Sequence, residues 1–212
     1  ASIAAIAGLG ATLAQAEELR LGDWQSLTHI VSVEGTQKWM KSVEGMTNGK
    51  ITFSHFPAEQ AAKSAALLGA VENGVLDAAL VGPIYNGEVL PLNSIVSLPG
   101  FYTSAVQGTA ALQTMMQEGP LRDEFLATGV VPIFSFVLPP YQVLSKAGRL
   151  GNPADWNGLN IRTSGSTQAM VARDLGGAGV SIPGPEVYTA VETGRLDGIL
   201  FPLASVPTSS MK

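Results

Sequence analysis

The sequence contains no cysteine and only two histidines, His29 and His55. The first absence excludes disulfides, thiolate metal sites and cysteine nucleophiles, and leaves the compartment undetermined. The two histidines lie too far apart for a metal pair built on local spacing. Charge is sparse: Asp, Glu, Lys and Arg make up 14% of the chain, the net charge is −5, and lysine and arginine never cluster. That speaks against nucleic acid, which needs a concentrated basic surface. There is no Gly-x-Ser-x-Gly elbow, no phosphate-binding P-loop and no His-Glu-x-x-His, so catalysis is not supported. After the first residues no apolar run is long enough to cross a bilayer.

What is present is core-forming material. Of 212 residues 46% are hydrophobic, with 24 glycines and 13 prolines, a composition that fits one large domain or two small ones. Ala1 to Leu13 is apolar and small, Ala14-Gln15-Ala16 has the small-x-small form of a signal-peptidase site, and Glu17-Glu18 opens a polar segment. This predicts an exported protein whose sequence begins inside its signal peptide, with residues 1–16 as the partial signal.

The most informative feature is a repeat. Ala70-Val71-Glu72-Asn73-Gly74-Val75-Leu76-Asp77-Ala78-Ala79-Leu80 returns as Ala190-Val191-Glu192-Thr193-Gly194-Arg195-Leu196-Asp197-Gly198-Ile199-Leu200, with seven of eleven positions identical. Each copy reads as the last turn of a helix, a glycine in the left-handed region, an acidic residue and a short buried parallel strand. An offset of 190 − 70 = 120 residues is too long for a solenoid and predicts two similar α/β lobes. The loops leaving the two strands, Val81 to Asn86 and Phe201 to Val206, then sit at carboxyl ends, where open α/β sheets bind ligands. Asp77 and Asp197 are expected to hold turns rather than to form a carboxylate pair.

Leu19–Trp24 reads as a first strand and its exit loop, and further strands are predicted at Ile51–Phe56, Val130–Phe136, Tyr141–Ser145 and Leu159–Arg162. Helices are predicted over Thr36–Met46, Ala61–Glu72, Ala105–Gln117, Leu121–Ala127, from Ser166 to about Leu175, and Val187–Glu192. Pro139-Pro140 marks a composition shift and the expected crossover, dividing lobe I (17–139) from lobe II (140–212). Lobe II has too few strands to cover its sheet, which predicts that a C-terminal part is missing.

Arg162 is the leading binding candidate. It ends a predicted strand, and Thr163-Ser164-Gly165-Ser166 opens a helix whose first N–H groups favour anions. A guanidinium beside them offers two parallel donors to a carboxylate. Ser164 belongs to the same turn. Trp24 after the first strand, and Tyr85 and Phe201 in the matched loops, would supply stacking surface and one hydroxyl. His29 follows Thr28 in the first cleft loop, within reach of a ligand. His55 is expected on a solvated strand face, and Trp39 and Trp156 in the core.

At Asn157-Gly158-Leu159-Asn160-Ile161-Arg162-Thr163-Ser164-Gly165-Ser166, and again at Glu186-Val187-Tyr188-Thr189-Ala190-Val191-Glu192-Thr193-Gly194-Arg195-Leu196-Asp197-Gly198, the chain resembles the DctP-type substrate-binding proteins of TRAP transporters. Asn48-Gly49-Lys50-Ile51 and Leu98-Pro99-Gly100-Phe101 also have counterparts there. The resemblance implies a two-lobed periplasmic-binding-protein-like fold of type II that closes on an organic acid gripped by Arg162. It also implies a periplasmic location and delivery to a membrane permease rather than chemistry, with no cofactor. Two departures bear on the ligand. Phe201 precedes Pro202 where many relatives have asparagine, and Gln142 stands where many have a second arginine. Fewer polar donors and more apolar wall predict a monocarboxylate with an apolar or aromatic body rather than a dicarboxylate or sialic acid. Ile199-Leu200-Phe201 lacks the acidic residue and tryptophan of the family's metal-using branch, so no metal is expected. A periplasmic sensor domain on the same fold is the alternative, and an enzyme on a similar scaffold would have only His29 or Tyr85 as its base.

Overall fold

The computed structural model describes residues 16–208; the expected signal segment, Ala16 excepted, lies outside them. The chain builds two sheets in sequence order. Strands β1 (Glu17–Gly22), β2 (Ile51–Phe56) and β3 (Ala78–Ala79) form a parallel sheet in the order β2-β1-β3. Strands β4 (Gln142–Ser145), β5 (Asn160–Thr163), β6 (Ala178–Ser181) and β7 (Gly198–Phe201) form the second, ordered β4-β7-β5-β6, in which only β4 runs antiparallel. This is a two-lobed α/β fold. No helix among the described residues is long and apolar enough to cross a membrane.

The repeat is reproduced in three dimensions. Helix α1 (Gln37–Met46) leads into β2, α2 (Leu67–Glu72) leads into β3, the short α3 (Pro91–Ser94) follows β3, and α7 (Val187–Glu192) leads into β7. Gly74 and Gly194 take φ of 67° and 72°, the left-handed turn in which a glycine costs nothing sterically. Val75 N–H then bonds Ala70 O at 2.9 Å, and Arg195 N–H bonds Ala190 O at 3.1 Å. Both aspartates clamp the central strand of their lobe. Asp77 N–H donates to Arg20 O at 3.0 Å while its carboxylate accepts from Arg20 N–H at 2.8 Å. Asp197 N–H donates to Asn160 O at 2.9 Å, and its carboxylate accepts from Asn160 N–H at 2.8 Å. These turns set the register of β3 against β1 and of β7 against β5.

Apolar spacing buries the helices against these sheets. In the first lobe α4 (Ala105–Gln117) and α5 (Pro120–Ala127) contribute Leu112, Met116, Leu121 and Phe125 to one core with Leu68 and Leu90. In the second, Val187 and Ala190 of α7 meet Ile182, Leu196, Ile199 and Phe201. Trp156, Ile161 and Ala172 fill the other side, with Ala172 on α6 (Ser166–Asp174). Trp156 is thus in the core, whereas Trp39 is half-buried, its ring 5.1 Å from that of Phe53.

Several expectations fail for physical reasons. Val130–Phe136 forms no strand: Val137 N–H bonds the Thr109 hydroxyl of α4 instead of a neighbouring strand, and Val131 and Ile133 face solvent. The helix expected from Ala61 begins at Leu67 behind a short 3-10 turn, because Glu59 takes Ser64 N–H at 2.8 Å. His55 is not solvated; its Nε2 lies 3.5 Å from the buried carboxylate of Asp23. Strand β6 escapes periodicity, since Ala178-Gly179-Val180-Ser181 has one large apolar residue. Gly179 is required there, as a Cβ would stand 2.6 Å from Ala169 Cα on α6.

Two measurements test the paired turns. Gly194→Ala meets no neighbour and suffers only backbone strain, so it should cost about 1–2 kcal/mol in urea unfolding; no change would mean the turn relaxes. The Asp77 carboxyl is lowered from 3.8 to about 2, chiefly by its hydrogen bond to the Arg20 side chain and then by Arg20 N–H. Its contribution is therefore complete above pH 3.8 and is lost as pH falls through about 2. Asp77→Asn should flatten that part of the stability–pH curve.

Candidate functional site

The strands β1, β3, β5 and β7 release their loops toward the gap between the lobes, as carboxyl ends of parallel strands do. A cavity of about 280 Å³ opens there, with Trp24, His29 and Tyr85 on one side and Arg162, Phe201 and Pro202 on the other. It lies at the small end of the range for small-molecule sites.

Arg162 projects from β5 and is 1% exposed. Its Nε donates to Ile182 O at 2.8 Å and Nη1 donates to Leu200 O at 3.0 Å, which ties the guanidinium to the exits of β6 and β7. Its central carbon sits 5.6 Å from the centroid of the Phe201 ring, within cation–π range. None of the ion pairs among the described residues includes it. A desolvated cation held by neutral carbonyls and a ring still needs an anion.

Tyr85 stands in the short turn Pro83–Asn86 that follows β3. Its hydroxyl accepts Gly184 N–H at 3.2 Å across the gap, a direct bond between the lobes. Burial raises its pKa, while the Arg162 charge beside it works in the opposite direction. The phenol stays neutral and keeps its own proton to donate. Gly82 permits this pose, because a Cβ there would lie 2.8 Å from the Tyr85 ring. Trp24 packs edge-on to Tyr85 with centroids 5.4 Å apart, and a Cβ on Gly184 would come within 3.0 Å of its ring.

Of the residues singled out in the sequence, the fold brings Trp24, Tyr85, Arg162 and Phe201 to one cavity, joined by His29. Ser164 is buried at the lobe junction outside the cavity wall: its N–H donates to Gln168 Oε1 at 2.9 Å, and its Oγ has no partner among the described residues. At the next residue, a Cβ on Gly165 would lie 2.2 Å from Ile84 O of the other lobe. Gln142 is exposed, with its amide 3.3 Å from Pro140 O, and its neighbour Tyr141 lines the cavity instead. Tyr141 and Leu138 went unread as site residues, although they flank the Pro139-Pro140 crossover that the sequence marks. Tyr188, on α7, lines the cavity as well.

His29 is buried, and its Nδ1 accepts Val31 N–H at 3.2 Å. Burial lowers its pKa, and the charge of Asp23 opposes that only in part. Among the described residues no three His, Asp or Glu side chains cluster as a metal site would require. One buried cation, one neutral phenol and an aromatic wall thus face a single cavity.

The family model for bacterial extracellular solute-binding proteins, family 7 (DctP), matches residues 25–212. A solute-binding protein of Albidiferax ferrireducens is 28% identical over 158 residues, which is 74% of this chain and 46% of that protein. The crystal structure of a TRAP solute-binding protein from Rhodoferax ferrireducens, in complex with copurified benzoate, aligns with a TM-score of 0.85 at 26% identity, over 92% of this chain and 60% of that one. A TRAP periplasmic solute-binding protein from Bordetella bronchiseptica, with bound (R)- and (S)-mandelate, aligns with a TM-score of 0.82 at 27% identity, over 90% of this chain and 60% of that one. The chain therefore spans about half the length of that curated relative and three-fifths of those solved structures. The family and these neighbours are transport receptors, not enzymes. A paired α/β turn, a cleft between the lobes and a match running from the first cleft loop onward agree: the chain belongs to family 7 of the bacterial extracellular solute-binding proteins, the DctP family.

Proposed function

We propose that this chain is part of an exported solute receptor whose cleft takes a monocarboxylate with an apolar or aromatic body for delivery to a TRAP permease. In this reading lobe I covers residues 17–139, lobe II covers residues 140–212, and Pro139-Pro140 is the crossover. The single observation that carries the proposal is Arg162, buried to 1% exposure in the cleft with no carboxylate partner among the described residues. The ligand carboxylate would supply the missing charge, with the Tyr85 hydroxyl as a second donor. Trp24, Phe201 and Leu138 would wall the body. Among the described lining residues Arg162 is the only cationic side chain, which favours one carboxylate over two. The benzoate and mandelate bound by the two similar receptors have the same chemistry.

Thermal-shift and calorimetric titration with benzoate, mandelate and succinate test this. Benzoate or mandelate should raise the midpoint more than succinate does. Arg162→Ala should weaken the best acid by roughly 10²–10³-fold, the effect of removing one partner of a buried pair. Because Arg162 also ties two carbonyls, the variant should melt earlier, so affinity is measured below its own transition. Retained affinity in the variant, or succinate as the strongest ligand, overturns the proposal.

A further inference from the structure

We infer that His29 donates a hydrogen bond to the ligand through Nε2, and that the preferred acids carry a neutral second acceptor, a hydroxyl or carbonyl, on the part of the body facing the first lobe. The inference rests on the carboxylate site proposed at Arg162 and names the second group of the same ligand.

The geometry of the ring supports it. His29 is 5% exposed and lines the cavity from the lobe opposite Arg162. Its backbone is pinned on both sides: His29 N–H donates to Ser26 O at 3.0 Å, and Val33 N–H donates to His29 O at 2.9 Å. Nδ1 accepts Val31 N–H at 3.2 Å, so its lone pair is used and the ring proton sits on Nε2. Burial keeps the imidazole neutral. The ring is therefore an uncharged single donor in a fixed pose. No hydrogen bond among the described residues uses that donor. Nε2 is not among the wholly buried unpaired atoms, so it borders the cavity, and a site that hydrogen-bonds a ligand there rejects analogues that lack the matching acceptor. With no second cation among the described lining residues, the acceptor is taken as neutral rather than another carboxylate. A cavity of about 280 Å³ suits a single ring with a small substituent.

The test compares affinities of the chain for benzoate and for 3- and 4-hydroxybenzoate by calorimetry, and reads the ratio rather than the absolute values. The wild type should bind one hydroxybenzoate about tenfold more tightly than benzoate, the discrimination one such bond provides. His29→Leu should bring that ratio close to one. His29→Gln, whose amide nitrogen can stand near the Nε2 position, should restore part of it and covers the case in which His29→Leu fails to fold. No preference in the wild type, or a preference that survives both substitutions, overturns the role of His29 while leaving the carboxylate site intact. Failure of all three acids to bind the wild type overturns both.

Discussion

Arg162 is a positive charge taken almost wholly out of water, and the cleft is organised around keeping it there. Two main-chain carbonyls, Ile182 O and Leu200 O, hold the Nε and Nη1 sides of the guanidinium, and Phe201 lies against its face. These contacts aim the group without neutralising it. They come from the ends of β6 and β7, so the cation is placed by three adjacent strands at once. A flexible surface arginine would average its charge over many poses; this one cannot. Neutral dipoles do not replace a counter-ion in a low-dielectric site. In the proposed receptor an acid would relieve that imbalance.

The other lobe answers through Tyr85. The Gly184 N–H that reaches its hydroxyl and the close pass of Gly165 under Ile84 O join the halves at two points beside the cavity. Both contacts depend on small residues, because a side chain at either glycine would meet an atom of the opposite lobe. In the proposed receptor a ligand touching Arg162 and the first-lobe wall gains contacts from both halves only when they are together, which is the differential affinity that closure needs.

The sequence was most legible where local chemistry decides the backbone. Gly74 and Gly194 announced left-handed turns, since each is needed at its own position, whereas the partners of Asp77 and Asp197, Arg20 and Asn160, lie far back in the chain and came only with the fold. The helices over Ala105–Gln117 and Val187–Glu192 kept their predicted bounds, the first because Ser104 accepts Gln107 N–H at its start. Legibility failed where a partner far along the chain decides. Val130–Phe136 has strand propensity and no strand beside it among the described residues, and β6 has little propensity yet pairs with β5. Gln142 occupies the position a resemblance assigns to the site, but its side chain turns to Pro140 while Tyr141 faces the cavity.

From sequence alone came the α/β class, the duplicated helix–turn–strand unit and the short set Trp24, Tyr85, Arg162 and Phe201, because strand ends and loop positions follow from local pattern. Only the tertiary structure decided that these side chains, separated by up to 201 − 24 = 177 positions, share one cavity. It also decided that Ser164 lies behind the wall, that His29 Nδ1 is held by Val31 N–H, and that Arg162 is buried with no acid beside it among the described residues. Burial and pairing are relations between distant atoms, and no short window of residues contains them.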